Sequence, residues 1–240
     1  AKALRRSGAD VVPISPSRHY PTGLVMPIAR RQELLRWAQE TPERIILEDD
    51  YDSEFRFVGR PIPTLFSVDD SGQVIYLNTF SKTIAPSIRI SFMVLPRRLL
   101  ADFRRKLGFY ACTVSAFEQY TLAQFLSGGW YEKHLSRMRK HYRQKRDAVI
   151  AALRQSPLSP HAAIAEEDAG LHFLLRLDGA PPDDLLRRAA EERGIRLAML
   201  SDYYQRPREA PQHVLVVNYT GIDTEKLPAA LARLAELWPS

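Results

Sequence analysis

The stretch from Val74 to Pro96, VIYLNTFSKTIAPSIRISFMVLP, leaves few folds open to this chain. It begins with an apolar run, Val74-Ile75-Tyr76-Leu77, which reads as a buried strand. It ends with a second strand-like run, Ile88 to Leu95, rich in Ile, Val and Phe. Between them stands Thr79-Phe80-Ser81-Lys82-Thr83, a lysine among hydroxyl residues at a strand exit. Open α/β sheets place their chemistry at that position. Arg89 follows, so amine, hydroxyls and guanidinium lie close together in sequence and suit a phosphate plus a carbonyl carbon.

A Ser-Lys pair alone reads as a solvated loop. The upstream run Ile45-Ile46-Leu47-Glu48-Asp49-Asp50-Tyr51-Asp52 changes that reading, because it is another apolar strand ending in carboxylates and a phenol. Two adjacent parallel strands bring Asp49, Tyr51 and Lys82 to one sheet edge. Pyridoxal phosphate uses such a set. A carboxylate keeps its ring nitrogen protonated and a phenol bonds its ring oxygen, while a lysine forms the Schiff base and an arginine forks onto the phosphate. A metal is the weaker reading of the acidic cluster, since no histidine stands at a ligand spacing.

The segment EDDYDSEFRFVGRPIPTLFSVDDSGQVIYLNTFSKTIAPSIRISFMVLP resembles the cofactor region of MocR-type regulators of the GntR family. The resemblance extends to SPSRHYPTG (Ser15 to Gly23) and to HLSRMRKHYRQKRDAVIAAL (His134 to Leu153). It implies the aspartate aminotransferase fold (fold type I, pyridoxal-phosphate dependent), joined in such regulators to a winged-helix DNA-binding domain. On this reading Lys82 carries the Schiff base and Asp49, Tyr51, Thr79, Ser81 and Arg89 serve the cofactor. Tyr20 is added because the similar loop of aminotransferases reads Asn-Pro-Thr-Gly, whose asparagine touches the ring oxygen. Here the position is Tyr20, and MocR-type sequences commonly carry an aromatic there. Aminotransferases also place an arginine on the last strand of the small domain. Val214 to Tyr219 has none, leaving Arg196, Arg206 and Arg208 as nearby alternatives.

With 240 residues and 45% hydrophobic content, the chain has material for a sizeable core or two small ones. No run of about 18 apolar residues is present. The single Cys112 excludes an internal disulfide and fits a reducing cytoplasm. The net charge of +6 is dispersed, weak support for nucleic-acid binding.

In chain order, a helix ends at Gly8, Val11 to Ser15 is a strand, and Pro16 to Gly23 is a rigid loop. Helices follow at Ala29 to Gln39, Pro96 to Leu107, Ser115 to Leu126 and Tyr131 to Leu153. The basic face of the last of these, Arg137, Arg139, Lys140, Arg143, Lys145 and Arg146, reads as solvated, since no base-reading motif accompanies it. After Pro160, strands Leu171 to Leu177, Ile195 to Leu200 and Val214 to Tyr219 alternate with helices Pro182 to Arg193 and Thr224 to Trp238. Thr224 is the expected cap of the last helix. His172 reads as a packed strand residue.

The expected architecture is therefore α/β. Residues 1–155 form the second half of a large, mainly parallel domain with its long connecting helix, and residues 156–240 form a small α/β domain. The family's phosphate-cradling glycine loop and ring-stacking aromatic would lie upstream of Ala1, so this stretch by itself is expected to bind pyridoxal 5'-phosphate weakly or not at all. Two functions stay open: an effector-sensing regulator module, answering to an amine, an amino acid or the cofactor itself, and a pyridoxal-phosphate-dependent aminotransferase. A cytoplasmic homodimer is expected in either case, with no membrane contact. In the regulator, DNA is bound only through the winged helix.

Overall fold

The computed structural model describes residues 1–59 and 62–238, with the side chain of Arg208 outside the described set. The chain forms two compact units. The first gathers residues 1–19, 25–54 and the described part of 60–138; the second holds 20–24, 55–59 and the described part of 139–240.

The first unit is built on a four-stranded sheet in the order β1 (Val11–Ile14), β2 (Ile45–Asp49), β3 (Val74–Thr79), β4 (Ser91–Val94). The first three strands are parallel and β4 runs antiparallel to β3. Short α1 (Lys2–Ser7) stops at Gly8, which takes the left-handed φ of 67° that a glycine adopts without strain. The crossover from β1 to β2 is α2 (Ile28–Gln39), whose Leu34, Trp37 and Ala38 pack with Ile46, Leu65 and Val74 into one buried cluster. Each large side chain buried there stabilises the layer by roughly 1.5–3 kcal/mol. Buried Gln73 donates through Nε2 to Ala38 O (2.6 Å) and Thr41 O (2.7 Å), tying the end of α2 to the start of β3. The second apolar run is narrower than expected. Pro86–Ile88 form a 3₁₀ turn and only Ser91–Val94 join the sheet. Two helices follow, α3 (Arg97–Leu107) and α4 (Ala116–Ser127). The Ser115–Glu118 capping box fixes the start of α4, and none of its residues is buried.

The long helix α5 (Trp130–Gln155) begins in the first unit and ends in the second. The second unit holds an antiparallel sheet, β5 (Ala162–Ala165), β6 (His172–Leu177), β7 (Val214–Asn218), with α6 (Asp183–Glu192) and α7 (Leu227–Ala235). Three expectations are corrected here. Ile195 to Leu200 is not a strand. It meets β7 only through an isolated Met199–Leu215 bridge and a Val216 N to Ala198 O bond (2.9 Å), and then turns as a 3₁₀ helix. Asp202 causes the turn, accepting the Met199 N–H through Oδ2 (3.0 Å). Thr224 does not cap the last helix. Asp223 takes the free N–H groups of Glu225 and Lys226, and the helix begins at Leu227 with a proline in its first turn. The basic face of α5 is not wholly solvated either. Arg143 donates to Phe57 O (3.1 Å), Lys145 to Thr220 O (2.7 Å) and Arg146 to Glu167 O (2.9 Å), because α5 packs beside backbone carbonyls that need donors. Strand β5 was not legible, as Ala162-Ala163-Ile164-Ala165 lacks β-branched alternation.

Candidate functional site

Parallel pairing sets Glu48 opposite Tyr76 and Asp49 opposite Leu77. Because side chains alternate, Glu48 and Asp50 point into the buried layer with Ile46, and Asp49 points to the other face, where it is exposed. One residue of register thus separates structural carboxylates from an available one. Glu48 is fully buried and accepts the N–H groups of Leu65 and Phe66, both at 2.8 Å. Desolvation raises its carboxyl above the usual range, and those two N–H bonds offset part of the rise. Asp50 Oδ2 accepts the hydroxyls of Ser53 (2.8 Å) and Tyr76 (2.9 Å). Asp49 makes no hydrogen bond or ion pair among the described residues. Its carboxyl is nonetheless raised, first by partial desolvation at the strand end and then by the neighbouring charge of Asp50. Tyr51 is half-buried just beyond it.

The lysine loop leaves β3 in a tight turn. Phe80 N donates to Ile90 O and Ile84 N donates to Phe80 O, both at 2.9 Å. Thr83 is buried and its carbonyl lies 3.0 Å from His134 Nε2 on α5. Lys82 is therefore turned outward, and its amine has no partner among the described residues. Thr79 Oγ1 accepts the Ser81 N–H (3.1 Å) and lies 3.1 Å from Ser81 Oγ, so the two hydroxyls form one small cluster. Arg89 is exposed and left-handed, φ 48° and ψ 30°, a conformation that costs a side-chain-bearing residue about 1–3 kcal/mol. Its guanidinium also has no partner among the described residues.

Pyridoxal 5'-phosphate can be tested against this arrangement. Among the first unit's charged groups, Arg31 is buried and spans three carbonyls, Met26 O (3.0 Å), Pro63 O (2.7 Å) and Pro16 O (2.7 Å). Arg31, Glu48 and Asp50 are committed to the fold. Asp49, Lys82 and Arg89 are not, and they carry the cation, carboxylate and amine chemistry such a cofactor needs. The donor set fits.

Tyr20 belongs to the second unit. Its hydroxyl lies 2.7 Å from that of Tyr203, and its ring stands edge-on to His172. Burial, followed by the Tyr203 hydrogen bond, pushes the Tyr20 phenol up to about 12. His172 is buried, with Nε2 3.1 Å from Pro21 O, as a packed strand residue should be. The pairing of Tyr20 with Tyr203 carried no sequence signal, since 183 residues separate them. The roles of Tyr76 and Arg31 were missed, the first because it depends on register and the second because its acceptors are backbone carbonyls. Among the described residues, no group of three metal-ligating side chains exists and no helix is long and apolar enough to cross a membrane.

Parallel strands ending in an acidic edge and a lysine loop, with a smaller antiparallel unit, define the fold type I class of pyridoxal-phosphate-dependent proteins. Comparison bears this out: Pyrococcus horikoshii kynurenine aminotransferase, solved in complex with PMP, superposes with a TM-score of 0.82 at 29% identity, covering 98% of this chain and 58% of that one. The chain belongs to the family described as Aminotransferase class I and II, matching it over residues 6–234. It is 39% identical over 235 residues to the HTH-type transcriptional regulator YhdI of Bacillus subtilis, covering 98% of this chain and 49% of that protein. It is 37% identical over 223 residues to the probable rhizopine catabolism regulatory protein MocR of Rhizobium meliloti, covering 92% and 44%. The chain thus spans about half the length of the curated relatives it matches.

Proposed function

We propose that this chain is the effector-sensing, pyridoxal-phosphate-binding portion of a MocR-type regulator of the GntR family. The observation that carries the reading is the likeness to regulators across nearly the whole chain, at higher identity than to the solved kynurenine aminotransferase. Pyridoxal 5'-phosphate, when bound, supplies an electrophilic carbon for amines and an electron-withdrawing ring. Lys82 would hold it through its free ε-amine. Asp49 would keep a proton at the ring nitrogen, a cation there offsetting the desolvation and, after it, the Asp50 repulsion that raise its carboxyl. Tyr51 would serve the ring oxygen. Arg89, Thr79 and Ser81 would serve the phosphate.

In this reading the amine or amino-acid effector, or the cofactor itself, shifts a conformational equilibrium rather than being turned over. β7 carries no arginine. Of the nearby alternatives, Arg206 is paired with Glu209 at 3.0 Å, Arg196 is exposed, and the side chain of Arg208 lies outside the described residues. DNA would be bound by a winged helix outside residues 1–240. We divide the chain at residue 155 into cofactor and small domains and take the protein to be a cytoplasmic homodimer. Exposed Phe117 (80%) and Tyr120 (74%) on α4 support a self-association face. The aminotransferase reading stands second, on the strength of the kynurenine aminotransferase likeness.

The test uses full-length protein loaded with the cofactor, reduced with borohydride and mapped by peptide mass. The modification should fall on Lys82 and vanish in Lys82→Ala, and an effector amine should change operator binding without net keto-acid release. Trapping on another lysine would refute the site. Steady keto-acid production would favour the enzyme.

A further inference from the structure

A hydrogen-bonded line runs beneath the lysine loop, entirely within the first unit. It begins at buried Asp50, whose Oδ2 accepts the Tyr76 hydroxyl at 2.9 Å. The Tyr76 oxygen in turn accepts Asn78 Nδ2 at 2.8 Å. The second Nδ2 proton of Asn78 faces Glu54 Oε1 at 3.2 Å. At its other end, Asn78 Oδ1 accepts the Thr79 N–H. This last bond replaces a rung of the sheet. Asp50 N still donates to Leu77 O (3.0 Å), but β2 ends there, and the next inward N–H on β3 would be left without an acceptor. Thr79 Oγ1 then organises the turn by accepting Ser81 N.

The line has a direction. Burial raises the Tyr76 phenol first of all, so it stays protonated and donates to Asp50, which obliges its oxygen to accept from Asn78. The amide is thereby oriented with its oxygen toward Thr79. Asn78 is buried, so water does not substitute for it. We propose that Asn78, oriented by Tyr76 from Asp50, is a positioning residue that sets the Thr79–Ser81 hydroxyl pair for the phosphate of the ligand held at Lys82. This inference rests on the functional reading above and goes beyond it in assigning the phosphate end of the site a buried support.

The experiment compares the affinity of full-length protein for pyridoxal 5'-phosphate and for pyridoxal, which lacks the phosphate. The dissociation constant of pyridoxal divided by that of pyridoxal 5'-phosphate isolates the phosphate contribution. Asn78→Ala should lower that ratio roughly tenfold, the worth of about one hydrogen bond, while leaving pyridoxal binding within about twofold. Tyr76→Phe keeps the ring packed beside Phe66 and Phe92 and removes the orienting hydroxyl; it should lower the ratio in the same direction. It also keeps the test open should Asn78→Ala fail to fold. An unchanged ratio in the folded variants would overturn the proposal. So would an equal loss of both affinities alongside a lowered Tm, since that marks a merely structural role. Lys82→Ala separates the two ideas: it should abolish the borohydride-trapped adduct with either aldehyde. Persistence of that adduct would sink the site reading itself.

Discussion

Asp49 and Glu48 are neighbours in sequence, and the fold predicts opposite results from the same change. Asp49→Asn removes a carboxylate held above its usual protonation range by desolvation and by Asp50, with no hydrogen bond to lose. A raised folded-state pKa means the folded chain binds the proton more tightly than the unfolded chain. Stability therefore falls as pH climbs from the ordinary aspartate value through the raised one, and the full penalty is present above it. Asparagine escapes that penalty. Because the side chain is exposed and screened, the gain is held to about 1 kcal/mol at most, or about 2–4 °C in Tm for a chain of this size. Glu48→Gln leaves one buried N–H facing an amide donor where a 2.8 Å bond stood. That costs about 2–3 kcal/mol, a fall of about 4–12 °C. Calorimetry of the paired variants at neutral pH and again in acid reads both effects. The Asp49→Asn advantage should be full at neutral pH and vanish once the medium is acid enough to protonate the carboxyl in both states. If Asp49→Asn lowers Tm at neutral pH as Glu48→Gln does, Asp49 is a structural carboxylate and the assignment of the site's acid is wrong.

Arg31→Lys should destabilise the chain by about 3–5 kcal/mol, read as a shifted denaturant midpoint, because an ammonium cannot bridge three separated carbonyls. Tyr203→Phe should bring the Tyr20 phenol down from about 12 toward the ordinary tyrosine value without reaching it, since burial is the larger cause; a pH titration of tyrosinate absorbance follows this, and an unmoved Tyr20 would contradict the hydroxyl pairing. With α4 as the face of the proposed homodimer, Phe117→Asp with Tyr120→Glu should shift full-length protein toward monomer in sedimentation velocity. A dimer unaffected by both charges would place the interface elsewhere.

Much of the sheet was legible because its strands are short apolar runs ending in charged or hydroxyl residues. Ile45–Asp49 and Val74–Thr79 announce both themselves and their exits. The candidate acid could be picked from Glu48-Asp49-Asp50 by resemblance, yet the physical reason for that choice lies in register, which a sequence does not display. Ile195 to Leu200 misled because its apolar content is that of a strand, and the Asp202 side chain that diverts it lies beyond the run. Arg143, Lys145 and Arg146 looked solvated because their acceptors are backbone carbonyls, which every sequence contains and none reveals.

Arg89 sits where the backbone favours glycine, with φ at 48°. A directed-evolution screen that rewards heat resistance alone would meet this position early. Arg89→Gly relieves the left-handed strain by roughly 1 kcal/mol and breaks no bond of the guanidinium to the described residues. With Arg89 in the phosphate role proposed above, such a library would drift toward a sturdier protein that has lost its ligand, enriched in glycine at this turn. Selecting for retained anion binding at each round is therefore a requirement when thermostable versions of this chain are made, and the glycine frequency at position 89 offers a direct gauge of whether that selection is working.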